Sequence, residues 1–331
     1  MGKIAFLFSG QGDQFPGMGK EFYEGYETAA RIFDLCDGIR PGTRAQCFAG
    51  TEEELKETKN TQPCLFAMEL AAAAALMGKG IWPAAVAGFS LGELVAATVA
   101  GVFDAGTGFR LVCRRGELMQ REAEKYDTAM AAVVKLTPEQ VEEICDKYAD
   151  IYPVNFNCPG QITVSGLAAQ MPAFTADVRA AGGRALPLKV KGAFHSPFMK
   201  EAASDFADEL AKVFGRKPKD VNGGSVSVKA RIDANGGAAT AEGGGGTDIV
   251  LYSNVTAEPY TEDAAGLLSR QICSPVQWEK TIRNMIAARA DTFVEIGPGR
   301  TLANMMKKID PGVQACCVAD LPSVWTTVRI K

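Results

Sequence analysis

A serine set between two glycines, with an apolar strand before it and an alanine-rich helix after it, leaves the backbone few choices. Residues 84–101, AAVAGFSLGELVAATVAG, contain this pattern as Gly88-Phe89-Ser90-Leu91-Gly92. G-x-S-x-G is the sequence form of a strand-to-helix turn sharp enough to push its central serine out at the edge of a sheet. The flanking positions are glycine because a Cβ has no room there. Such a turn needs a sheet to stand on and a helix to lead into, and the surrounding chain offers both. Residues 3–8 read as a buried strand ending at the turn SGQGDQ. Helical patterns follow at 21–36, 52–59 and 63–77, then a short strand ending at Ala87 and a helix from Gly92. Strands alternating with helices predict an α/β fold with a mostly parallel sheet covered on both faces.

From residue 127 the rhythm changes. AMAAVVKL reads as a strand and TPEQVEEICDKYA as a helix opened by Thr137 and Pro138. YPVNFN and QITVSG form a hairpin around Cys158-Pro159-Gly160, AAQMPAFTADVRAAG is a helix, and RALPLKV a last strand. This βαββαβ order is the ferredoxin-like signature. The expected organisation is therefore a larger α/β body, residues 1–126 and 191–331, with a small ferredoxin-like subdomain, 127–190, inserted into it. A Gly-rich stretch at about 216–247 offers too little apolar surface to offset its ordering entropy, so a mobile surface loop with a weak hairpin at 224–233 is expected. Order resumes with IVLYSNVT, and DTFVEIGPG reads as a final strand.

With 331 residues, 47% hydrophobic and 22% charged, the chain is that of a soluble globular protein. Its net charge of −4 argues against a nucleic-acid partner, which calls for a concentrated basic surplus. Nine cysteines at irregular spacing fit neither a zinc pattern nor a small disulfide framework, so a reducing cytoplasm is expected. The first residues lack a signal-peptide core. The longest apolar stretch, Leu65 to Met77, is broken by Glu69 and falls short of the about 20 residues of a membrane span. A monomer with no membrane partner is expected.

A serine hydroxyl becomes a useful nucleophile when a base lies within hydrogen-bond reach, and His195, in KGAFHSPFM, is the chain's one histidine. A lone histidine is also compatible with a satisfied structural residue. An oxyanion hole needs the N–H of the residue after the nucleophile and one from another loop, and Leu91 and Gln11 are the natural pair. In the helical stretch GFRLVCRRGELMQRE, Arg110, Arg114, Glu117 and Arg121 make a solvated stripe, whereas Arg115 falls among the apolar Leu111, Leu118 and Met119. An inward guanidinium needs an anionic partner, either an internal carboxylate or a substrate.

Taken together, FLFSGQGDQ, GFSLGE, RRGELMQ, GAFHSP, QICSPVQW and EIGPG, in this order along nearly the whole chain, resemble the malonyl-CoA:acyl carrier protein transacylase family. The resemblance implies an α/β-hydrolase-like body carrying the ferredoxin-like subdomain, and a ping-pong transfer. In it Ser90 takes the malonyl group from coenzyme A, His195 is the base, and the Gln11 and Leu91 N–H groups hold the oxyanion. It also implies that Arg115 grips the malonyl carboxylate and that the backbone carbonyl of Gln271 orients His195. Phe194 would favour malonyl over a branched unit by crowding the extra methyl. No cofactor is implied; coenzyme A enters as a thioester substrate, and the partner is acyl carrier protein. Phe89 stands where the family often has histidine. Lys189 and Lys191 are the expected contacts for an acidic carrier. Two other readings follow from the same residues: transfer of another acyl unit, to a polyketide carrier for example, or thioester hydrolysis. A non-catalytic docking subunit is more distant.

Overall fold

The computed structural model describes residues 3–190, 192–215, 230–232, 238–240, 249–261 and 263–328. Its central strand is β1, Lys3–Phe8, in which Ala5 through Phe8 are fully buried, as a strand covered on both faces must be. Phe6 and Phe8 point into a helical core on one face, and Ala5 and Leu7 into a second core containing Trp278 and Phe293 on the other. The remaining strands are β2 Ala85–Gly88, β3 Thr128–Val134, β4 Ile151–Cys158, β5 Gln161–Leu167, β6 Arg184–Pro187, β7 Ala230–Ile232, β8 Ala238–Thr240, β9 Val250–Leu251, β10 Ala290–Ile296 and β11 Gln314–Val318. β11-β10-β1-β2-β9 form a five-stranded sheet with parallel pairing throughout. A separate antiparallel sheet has the order β4-β5-β3-β6.

The second sheet is backed by two helices, Pro138–Cys145 and Met171–Ala180. Val141, Ile144, Phe174 and Val178 pack on Val133, Ile162 and Val164. Thr137 and Gln140 form a capping box at the first helix, with Pro138 in its first turn. β6 is shorter than the expected strand to residue 190: it ends at Pro187, with one further bond to β3 from the Leu188 N–H to the Met130 carbonyl (2.9 Å). The small sheet is tied to the segment that leads into the Trp278–Ala287 helix, where the Phe156 N–H donates to the Val276 carbonyl (2.9 Å) and the Val276 N–H to that of Val154 (2.8 Å). β7 and β8 pair with each other. Apart from those strands, the Gly-rich 216–247 stretch, with most of the hairpin expected at 224–233, lies outside the described residues.

Two helix expectations need correction. The pattern at 21–36 is two helices, Lys20–Gly25 and Glu27–Ile39, with Tyr26 extended between them. A Cβ at Gly25 would lie 2.9 Å from the Leu321 side chain, so this turn is shaped by the close approach of the last helix. Conversely, the breaks expected around 59–63 merge into one helix, Thr58–Gly78, with Pro63 inside it. Pro63 forfeits one helical hydrogen bond. The Ala105–Ala123 helix packs closely on the start of this helix at Gly116, where a Cβ would be 3.1 Å from the backbone of Thr58 and Lys59. At 21 residues Thr58–Gly78 is long and apolar enough to cross a membrane, but 94% of its most apolar window is buried inside the protein. It is the central helix of the main core.

Candidate active site

The Gly88–Gly92 turn joins β2 to the Gly92–Val99 helix, and its glycines are required by backbone contact. A Cβ on Gly88 would lie 1.9 Å from the Gly92 carbonyl, and one on Gly92 2.4 Å from the Phe8 oxygen. Backbone cannot yield as a side chain can, so Gly88→Ala should cost about 3 kcal/mol or more. A lower urea midpoint at unchanged slope would register it, and a shift within about 0.5 kcal/mol would count against this packing. Ser90 has φ 56°, the left-handed region that β-carbon residues rarely occupy. It is held there from both sides. The Ser90 N–H donates to Asn254 Oδ1 (2.8 Å), Asn254 Nδ2 donates to the Gly88 carbonyl (2.6 Å), and Gln271 Nε2 donates to the Ser90 carbonyl (2.5 Å).

His195 lies between Gly192 and the short Pro197–Met199 turn, also at positive φ, 62°. Its N–H donates to the Ile272 carbonyl (3.2 Å), and Ser196 Oγ donates to the Ala193 carbonyl (2.6 Å), so the loop is pinned. The ring is 4% exposed and spans the site: Nδ1 is 2.8 Å from the Gln271 carbonyl oxygen and Nε2 is 2.7 Å from Ser90 Oγ. A carbonyl can only accept, so Nδ1 carries the proton and Nε2 is left free to accept from the hydroxyl. Burial, reinforced by the nearby Arg115 cation, pushes the imidazole down to about 4, which keeps it neutral.

Arg115, on the Ala105–Ala123 helix, is 1% exposed, while Arg110 and Arg121 on the same helix face solvent. Its guanidinium donates to Gln62 Oε1 (2.8 Å), Gln271 Oε1 (2.6 Å) and Ser90 Oγ (3.3 Å). These partners are all neutral, and among the described residues no carboxylate forms a salt bridge with it. Burial lowers its pKa to about 10, opposed by the Glu93 charge beyond the Gln271 carboxamide.

Ser90, His195, Arg115 and Gln271 thus form one hydrogen-bonded group. Gln11 joins it through its side chain, whose Oε1 accepts from Gln62 Nε2 (3.1 Å). Leu91 follows the nucleophile, fully buried. Phe194, next to His195 in the chain, is buried with its ring packed over Gly192, where a Cβ would be 2.9 Å from Cζ. Phe89 packs edge-on against Trp278, ring centroids 5.4 Å apart. Lys189 is exposed, and Lys191 lies outside the described residues. Sequence reasoning missed Gln62, Glu93, Asn254 and Tyr260. Glu93 left a usable signal, a single charge in the apolar run GELVAATV.

The acyl transferase domain family matches residues 5–319. The malonyl CoA-acyl carrier protein transacylase of Bacillus subtilis (strain 168) is 35% identical, covering 99% of this chain and 97% of its own. Among solved structures, the malonyl CoA-acyl carrier protein transacylase from Clostridium perfringens superposes with a TM-score of 0.85 at 32% identity, over 99% of this chain and 96% of its own. A malonyl-transacylase solved in complex with its type II polyketide acyl-carrier protein matches with a TM-score of 0.85 at 29% identity, over 99% of this chain and 100% of its own.

Proposed function

The chain belongs to the malonyl-CoA:acyl carrier protein transacylase family of acyltransferases, and from that premise we propose a ping-pong transfer through a malonyl ester on Ser90. Ser90 Oγ attacks the thioester carbonyl while its proton passes to His195 Nε2. The carbonyl electrons collect on the oxyanion, received by the N–H groups of Gln11 and Leu91. Collapse breaks the C–S bond, and the departing coenzyme A sulfur takes the proton from the imidazolium. In the second half-reaction the carrier's pantetheine thiol gives its proton to His195 and attacks the ester carbonyl, and Ser90 leaves with the proton returned. The histidine needs no carboxylate behind it, because the Gln271 carbonyl holds its Nδ1–H. The chemistry calls on no cofactor. The proposed setting is fatty-acid synthesis in the cytoplasm.

The observation that carries this reading is Arg115: a buried guanidinium with only neutral partners, one of them the hydroxyl that would carry the acyl group. The malonyl carboxylate supplies the missing anion as a bidentate pair. Intact-mass analysis with malonyl-CoA should show one malonyl group gained on Ser90 and then lost to added holo carrier protein. Free malonate without transfer would favour a hydrolase, and no adduct at all would sink the reading.

Arg115→Ala tests the clamp. Removing one partner of a desolvated ion pair costs about 3–5 kcal/mol, roughly 10²-fold to several thousand-fold in malonyl loading. Acetyl transfer, with no carboxylate to lose, should be spared. Parallel measurement of kcat/KM for malonyl-CoA and acetyl-CoA decides it, since an equal fall in both would make Arg115 a structural brace.

A further inference from the structure

Glu93, three residues beyond the elbow and fully buried, lies behind the acyl-transfer groups rather than among them. Its Oε1 accepts from the Asn254 N–H (2.9 Å) and the Tyr260 hydroxyl (2.6 Å), and its Oε2 accepts from Gln271 Nε2 (2.7 Å). Among the described residues, every polar contact it makes is as an acceptor. The Gln271 carboxamide is used completely: one amide hydrogen goes to Glu93 and the other to the Ser90 carbonyl, while Oε1 takes the Arg115 guanidinium. Asn254, whose own N–H is anchored on Glu93, holds the opposite side of the Ser90 turn.

We propose that the Glu93 carboxylate is a positioning residue that fixes the orientation of the Gln271 carboxamide, and through it aligns Arg115 and the strained Ser90 elbow. The logic is one of hydrogen-bond polarity. An amide carries distinct donor and acceptor ends, and an acceptor-only carboxylate admits only one of its two orientations. Turning Gln271 over would aim its NH₂ at the guanidinium, donor against donor, and withdraw the donor from the Ser90 carbonyl. Charge at position 93 therefore matters as well as shape, although Glu93 touches no substrate. Its removal would misplace the nucleophile and the cation together.

The titratable groups around Glu93 are Tyr260, which donates to it, Arg115 beyond the Gln271 carboxamide, and His195 on the carbonyl of the same residue. Burial raises the Glu93 carboxyl to about 7, opposed by its hydrogen bonds to Tyr260, Asn254 and Gln271 and by the Arg115 charge. Protonation would thus convert part of an acceptor into a donor near neutrality and loosen the same alignment.

The inference rests on the acyl-transfer reading, and single-turnover loading of Ser90 from malonyl-CoA, followed across neutrality, tests the two separately. Wild type should show a rise in loading centred near pH 7. Glu93→Gln should lack that rise and load roughly 10²-fold more slowly throughout, the scale of a small misplacement of reacting groups. Tyr260→Phe removes a donor that favours the carboxylate, so its rise should move to higher pH. If Glu93→Gln does not fold, Tyr260→Phe decides alone: a displaced rise supports the proposal, and an unmoved one overturns it. The same pH profile in all three proteins, with Glu93→Gln loading within a few-fold of wild type, also overturns it. Failure of wild type to form any adduct would instead overturn the acyl-transfer reading.

Discussion

Ser90→Ala should show no mass gain with malonyl-CoA and should lose transfer by about 10⁴-fold or more, the scale seen when the nucleophile of a coupled catalytic unit is removed. Among the described residues, Ser90 is the one hydroxyl hydrogen-bonded to His195, so no neighbour can take its place. The fold should be unaffected, because the turn is held through the backbone N–H and C=O of residue 90, which alanine retains. Binding of malonyl-CoA should likewise persist, since Arg115 keeps its Gln62 and Gln271 partners and loses only one hydroxyl acceptor. Near-normal melting together with an absent adduct is the expected pair of results. An adduct that persists on the variant would require another nucleophile and end the proposed mechanism.

His195→Ala should reduce loading and unloading alike by about 10⁴-fold, because the chain has no second imidazole and both half-reactions use the same base. The variant also carries a signature in stability. The imidazole has a pKa of about 4 in the fold against an ordinary value of 6.5. The unfolded chain therefore takes up a proton first as the pH falls, and folding loses stability between about 6.5 and about 4. Across that interval this contributes about 3 kcal/mol of stability, present above the upper value and lost on the way down. His195→Ala should abolish this component of acid sensitivity, so its urea midpoint should fall less than that of wild type between pH 7 and pH 4. Equal acid sensitivity in the two proteins would place the imidazole in a more solvated site.

Much of this architecture was legible in local patterning because strand and helix periodicities are short-range. KIAFLF, the Thr137-Pro138 helix start and the hairpin at Pro159-Gly160 each carry their own signal, and the two sheets follow from their order. The single helix at Thr58–Gly78 is not legible because Pro63 is a local breaker, whereas the burial that carries the helix through it comes from residues far along the chain. Ser90, His195 and Arg115 were likewise visible through motif, scarcity and misfit to an apolar face. Gln62, Asn254 and Tyr260 were not, since an ordinary polar side chain shows its importance only when the partner it satisfies is known. The Gln271 carboxamide belongs with them: its carbonyl role followed from resemblance, but its contact with Glu93 depends on the packed geometry.

The pairing of β1 with β10 has a consequence for biosynthesis. Phe8 lies beside Ile296, so one edge of the central strand waits for a partner made 288 residues later. At ribosomal rates of about 5–20 residues per second, that edge stays unpaired for tens of seconds after it emerges. β2 can cover the other edge much sooner. Parallel pairing across so long a separation also makes the closing step slow, because loop entropy is lost before the contacts that offset it form. The nascent chain should thus be a client of chaperones that shield apolar strands. It should also be unable to acylate itself early, since His195 and Gln271 reach Ser90 only when the later part of the chain has been made.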